Sequence, residues 1–335
     1  MRRNKLMPNM KSLLMRVLRV LPAIAVMFLL SAVVIDASSY PSKPVRFIVT
    51  MAAGGSTDTV ARFIAAKLTE RLGNQVIVEN RLGAGGIIAT ETVAKADPDG
   101  YTFLFTAASF TMEPALQKLP YNPVKSFIPV AKLASNPSLL TVHPNVPAKS
   151  VQELIALAKQ KPGQLIFVAT GVGATPHMGT ELLKMMTGIQ IKIVQFKGGS
   201  QAVTDLLGGH SHATMVGLTP VMPHIKSGKL RVLATCGLER SVFLPDVPTI
   251  AESGVPGYEL SQWFGLLAPV GTPAPVIDRL NKELKAILTS DDIKKLLLTQ
   301  GAEADYLGPA EFGPFLEREM TKWVDVVKKA KIKVQ

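Results

Sequence analysis

Two stretches of this 335-residue chain combine residue types that can hold a negative charge. "TMAAGGSTD" (50–58) and "ATGVGATPH" (169–177) each close an apolar run and open a helical pattern. In the first, Gly54 and Gly55 permit positive φ and close backbone approach. Ser56 or Thr57 is suited to cap the helix, leaving N–H donors and the positive end of the helix dipole facing outward. The second repeats the arrangement with Thr170, Gly171, Gly173, Ala174 and Thr175; Pro176 falls near the first turn, where its missing N–H costs little. A junction of this kind is either a ready anion site or simply a capped strand-to-helix turn, and its occurring twice favours the anion. That anion is a nucleotide phosphate, an oxyanion in a catalytic site, or a carboxylate.

The motifs that would mark the first two are missing. A P-loop needs a lysine after its second glycine, and neither junction has one. A dinucleotide fingerprint needs G-x-G-x-x-G, but Gly171 and Gly173 are followed by Pro176, and Gly83 and Gly85 by Ile88. Neither Ser56 nor Ser200 stands in G-x-S-x-G, and H-E-x-x-H does not occur. His210 and His212 would share a strand face, with His224 twelve residues on, yet no acidic or cysteine ligand stands at a recognisable spacing from them. No metal and no cofactor is expected. His177 follows the second junction and either assists a ligand or caps the helix. Asp58 and Glu113 would work as acid and base only if the fold brought them together. Without a catalytic constellation, the expectation is a binding protein and not an enzyme.

The junctions need strands to end on and helices to begin. Expected strands run Val45–Thr50, Gln75–Glu79, Tyr101–Thr106, Phe127–Leu133, Leu139–His143, Leu165–Thr170, Ile191–Phe196, Ala213–Val216, Leu230–Cys236 and Ser261–Ala268. Helical patterns lie near Asp58–Leu72, Gly86–Lys95, Val151–Gln160, His177–Met186, Gln201–Leu207 and Pro220–Lys226. The alternation predicts α/β architecture with parallel sheets covered on both faces. Val60, Ile64, Leu68 and Leu72 form one stripe of the first helix, and Gly73 can end it. Charge-rich helices follow at Pro275–Leu288, Asp291–Thr299 and Pro309–Lys331. Ligands of open α/β sheets collect beyond the carboxyl ends of strands, so two lobes sharing a cleft are expected.

Composition is that of a folded protein, 47% hydrophobic and 19% charged. The net charge of +12 is unevenly placed: six cations and Asp36 give residues 1–39 a net +5, and +7 is spread over the rest without a basic run. That pattern argues against a nucleic-acid partner. The basic start runs into "VLPAIAVMFLLSAVVI" (20–35) and then Ala37, Ser38 and Ser39, the order of a secretory signal. The run is short for a membrane span and contains Pro22. Cleavage after Ala37 or Ser39 and an exported mature protein are expected. Cys236, the single cysteine, excludes an intramolecular disulfide.

Several segments resemble the Bug family, the extracytoplasmic solute receptors of tripartite tricarboxylate transporters. They are "YPSKPVRFIVTMAAGGSTDTVARFIAAKL", "VIVENRLGAGGIIATETVAKADPDGYTFL", "LPYNPVKSFIPVA", "KGGSQAVTDLLGG", "PHIKSGKLRVLA" and "WFGLLAPVGTPAPVIDRLN", in order from Tyr40 onward. The resemblance implies a type II periplasmic-binding-protein fold, with residues 1–39 as signal peptide, 40–143 plus 262–335 as lobe one and 144–261 as lobe two. It implies a ligand carboxylate held by backbone N–H groups of Ala53, Gly54, Gly55, Ser56, Thr57 and Asp58 in one lobe and Thr170, Gly171, Gly173, Ala174 and Thr175 in the other. Ser109, His177, Lys197, Gly198 and Trp263 fall on positions that look like cleft lining. Ala107 to Glu113, and Val216–Gly217, depart from the family's usual polar residues and lean the pocket towards an aromatic or aliphatic carboxylate. The implied protein is a monomeric periplasmic receptor that delivers its ligand to transporter membrane subunits. A sensor feeding a signalling protein fits the same residues.

Overall fold

A computed structural model describes residues 40–196 and 199–332. The expected signal segment, and Lys197 and Gly198, lie outside the described residues. The described residues from Pro41 onward form one compact unit.

The first half of the fold begins with β1 (Val45–Val49), α1 (Ser56–Leu72), β2 (Val76–Asn80), α2 (Ile87–Ala94), β3 (Thr102–Ala107) and α3 (Ser109–Leu116). β1 is the middle strand of a parallel trio, pairing with β2 on one side and β3 on the other. Val60, Ile64 and Leu68 of α1 are fully buried, and Gly73 ends the helix in the left-handed conformation (φ 71°) with its N–H on Thr69 O. A second set follows: α4 (Val151–Gln160), β5 (Ile166–Thr170), α5 (Thr175–Thr187), β6 (Lys192–Phe196), α6 (Gly199–Leu207), β7 (Ala213–Gly217), α7 (Leu218–Lys226) and β8 (Arg231–Thr235). Here β5 is central, parallel to β6 and β7.

Two long antiparallel strands join the sets, β4 (Phe127–Val142) and β9 (Ser261–Pro269), giving the order β2-β1-β3-β9-β4-β7-β5-β6. β4 pairs with β9 from Phe127 to Pro137, and then with β7 and β8 from Ser138 onward. Two strands, Phe127–Leu133 and Leu139–His143, are expected from the sequence here. The structure keeps one strand. Pro137, which has no N–H to give, sits where β4 leaves β9 for β7, so the missing donor falls at the handover. Cys236 lies at the matching exit from β8: its N–H bonds Ser138 O and its carbonyl accepts from Leu260 N–H.

The chain closes with α8 (Ala274–Thr289), α9 (Asp291–Thr299), β10 (Glu303–Leu307) and α10 (Pro309–Ala330). α8 packs on α1, and α10 on α3 and β4. Two elements were not expected from sequence. α3 contains Pro114 and lacks a side-chain cap, and is held by burial of Phe110 and Met112. β10, "EADYL", is short and carries two acids, edges β4 and stays half exposed along its whole length. Among the described residues no helix is long and apolar enough to cross a membrane.

Candidate functional site

Four strand-to-helix junctions converge on one cavity of about 520 Å³: β1–α1, β3–α3, β5–α5 and β7–α7. Gly55, Ser56, Thr57 and Ser109 line it from the first half, and Thr170, Gly173, Ala174 and Thr175 from the second. Among the described residues, no lining side chain is ionisable. Each α-helix begins with N–H groups that have no partner within the helix, so the cavity collects the positive ends of several helices.

The two glycine junctions are built alike. Neither helix has a side-chain N-cap: the cap positions are Gly55 and Ala174, both in extended backbone, and Ser56 and Thr175 are already the first helical residues. The expectation that Ser56 or Thr57 caps α1 is therefore corrected. The capping is done two positions later, and backwards. Asp58 Oδ2 accepts the N–H of Gly54 at 2.8 Å, and His177 Nδ1 accepts the N–H of Gly173 at 3.1 Å. Both glycines have φ near 80°, which turns the strand end over the helix. The third helical residue thus ties down the loop while the first-turn N–H groups stay available, a variant of the capping box.

The tie at α1 is the stronger. Asp58 is buried and also receives Asn80 Nδ2 at 2.9 Å and Arg62 Nε at 3.0 Å, while Asn80 holds Met51 O at 2.9 Å. Burial alone would push its carboxyl up, but Arg62, the Gly54 N–H and Asn80 together hold it below the usual carboxylate range. At α5 the acceptor is an imidazole, so His177 is neutral with its proton on Nε2. Burial, the largest influence, pushes its pKa down.

Asp58 and His177 therefore stand behind the cavity as positioning residues and do not line it. Ala53 and Gly54 are exposed on the same loop, and Gly171 is half-buried on its counterpart, all outside the lining set. Lys197 and Gly198 lie outside the described residues. Trp263 is the clear departure. Its ring is fully buried, 5.5 Å from Phe312 and 5.9 Å from Phe315 in edge-on contacts, on the face of β9 turned to α10. Successive strand residues face opposite ways, and its neighbour Gln262 lines the cavity instead. The signal for Gln262 was present as the one amide in the otherwise apolar "WFGLLAP" strand and its lead-in.

Met51, Ala107, Ala108, Met112, Val216 and Pro220 supply apolar wall. Ala107, Ala108, Met112 and Val216 belong to the two stretches where the sequence departs from the Bug pattern. One acid lies close behind: Glu113 is buried, accepts Tyr121 Oη at 3.2 Å, and is pushed by burial up to about 7. It is on α3 and away from Asp58, whose partners are Gly54, Arg62 and Asn80, so the two carboxyls form no acid–base pair.

Comparison with known proteins places these features. Residues 60–332 match the model of the tripartite tricarboxylate transporter family receptor, TctC. BugT of Bordetella pertussis is 36% identical over 304 residues, covering 90% of this chain and 93% of BugT. The structure of Rpa4515 from R. palustris with adipate is 38% identical, with a TM-score of 0.74, covering 88% of this chain and all of that one. MatC from Rhodopseudomonas palustris, with bound malate, is 32% identical with a TM-score of 0.68, covering 86% of this chain and all of its own. With its two α/β lobes around a cleft lined by helix N-termini, the chain belongs to the TctC (Bug) family of solute-binding receptors.

Proposed function

We propose that the protein is a periplasmic receptor that captures a small carboxylate with an apolar body and delivers it to the membrane subunits of a tripartite tricarboxylate-type transporter. The observation that carries the reading is the cavity itself: helix N-termini from both halves, an apolar wall, and no ionisable side chain among the described lining residues. Helix N-termini favour negative charge. An ammonium group would meet no counter-charge there, which disfavours amino acids. Rpa4515 holds adipate and MatC holds malate; Met51, Met112, Val216 and Pro220 favour the less polar of these types here. Residues 40–143 plus 262–335 would form lobe one and 144–261 lobe two, with β4 and β9 as the joining strands. Residues 1–39 would be removed on export, leaving a monomer.

Calorimetry tests the site chemistry. Adipate is expected to bind more tightly than malate, and the neutral diamide of adipate not at all. Equal binding of diamide and acid would overturn the reading. Mass spectrometry of any small molecule retained by the purified protein identifies the native ligand.

A further inference from the structure

We propose that the protein has a second binding site, for a small tetrahedral oxyanion such as phosphate or sulfate, at the end of the second half-sheet opposite the main cavity. A cavity of about 230 Å³ lies there among the loop after β4, the end of α4 and the loop before β7. Its polar lining comes from His143, Asn145, Lys161, Gln164, Ser211 and His212. Among the described residues, no aspartate or glutamate lines it. The main cavity sits at the carboxyl ends of β5 and β7, and this one at their amino ends. Five residues at roughly 3.3 Å each separate the two.

Hydrogen bonding fixes what the two imidazoles offer. His143 Nδ1 accepts the N–H of Asn145 at 3.2 Å, and His212 Nδ1 accepts the N–H of Ile166 at 3.0 Å. An imidazole that accepts at Nδ1 carries its proton on Nε2 and has only a donor left. Burial, which pushes His212 down from its ordinary pKa, agrees with that state. A metal-bound histidine has the opposite arrangement, with its second nitrogen donating to an acceptor. These two rings are set to donate, so the cavity suits an anion and not a cation.

Ser211 supplies the independent observation. It is 2% exposed, it lines the cavity, and its Oγ has no hydrogen-bond partner. A buried hydroxyl left unpaired is costly; its oxygen is closed off from the cavity in this structure, so an oxyanion would complete it by drawing the 209–212 loop aside. The two imidazoles, Ser211, Gln164 and Lys161 line the cavity from different elements. That spread of donors matches the several acceptor oxygens of a tetrahedral anion better than the planar pair of a carboxylate.

The test is titration of the mature protein with inorganic phosphate at pH 7.5, followed by ¹H–¹⁵N correlation spectra that include the histidine ring nitrogens, with sulfate and acetate as parallel arms. Saturable shifts are expected at 143–147, 161–165 and 209–212, with both imidazoles keeping the Nε2–H form. Ser211→Ala should weaken phosphate roughly three- to ten-fold, the scale of one hydrogen bond, and His143→Phe should weaken it likewise. Spectra unchanged elsewhere establish that each variant is folded. Absent or non-saturating shifts, wild-type phosphate affinity in both variants, or acetate binding as tightly as phosphate would overturn the proposal. So would zinc binding that strips both Nε2 protons.

Discussion

Replacing Gly173 by alanine brings two separable costs, a backbone strain and a contact with Leu116 from the other half. Gly173 has φ +81°, and a Cβ built there overlaps Cδ1 of Leu116. The left-handed backbone costs an L-residue about 1–2 kcal/mol, and that cost is present whether the cleft is open or shut. The overlap is different, because Leu116 belongs to α3 of the first half and Gly173 to the loop after β5 of the second. An opening of the cleft that parts the two halves would separate them. Relieving it by moving the Leu116 side chain off its rotamer costs about 0.5–1.5 kcal/mol, roughly a two- to twelve-fold loss of affinity. Urea denaturation of the unliganded protein should therefore read the strain, and calorimetry with a carboxylate ligand should read the overlap. The double variant Gly173→Ala/Leu116→Ala should regain affinity without regaining the stability lost to the backbone. If it binds no better than Gly173→Ala alone, or if the single variant binds as wild type, the contact across the cleft does not belong to the bound state.

Glu113→Gln removes a buried acid that is pushed up to about 7, mainly by desolvation. Because the folded pKa lies above the unfolded one, near 4.5, its stabilising effect is complete below pH 4.5 and lost as pH rises through about 7. The variant should gain up to roughly 3 kcal/mol over wild type at pH 8 and nothing at pH 4; parallel denaturation profiles would contradict this. Asp58→Ala should cost about 2–4 kcal/mol, since it strands the Gly54 N–H and the Asn80 amide that the carboxylate now holds, and should weaken ligand binding as the loop loosens. Unchanged affinity would free Asp58 of its positioning role. Both tryptophans are buried in the packing around α10, Trp263 against Phe312 and Phe315, and Trp323 with its Nε1 on Glu319 Oε2 at 3.1 Å. Ligand should leave the emission maximum where it was; a shift abolished by Trp263→Phe would put that ring back in the cleft.

The junctions were legible because they rest on local chemistry. An apolar strand, glycines free to take positive φ, and a helical stripe can each be read without knowing the partner elements. Gly54, Gly55, Gly173 and Thr175 follow from that. The cap was harder, since Ser56, Thr57 and Asp58 stand in a row and only the backbone conformation of Gly55 decides which of them reaches back. Parity in β9 was out of reach for a similar reason. Gln262 and Trp263 are adjacent, and which one faces the cleft depends on the register of β9 against β4, set by residues more than a hundred positions away. Continuity of β4 was hidden by Pro137, whose local preference for a turn is overridden by a change of partner at that residue.

The placement of Cys236 gives the protein a built-in clock. The thiol is fully buried, its pKa pushed far up by burial, and its backbone ties the exit of β8 to β4 and to the approach to β9. A thiol reagent can reach it only when that crossing comes apart, and no other cysteine competes for the label. The labelling rate under native conditions thus counts spontaneous openings at the crossing between the two halves, a local event distinct from global unfolding. A ligand that clasps both halves must slow that count even while every other spectroscopic signal stands still.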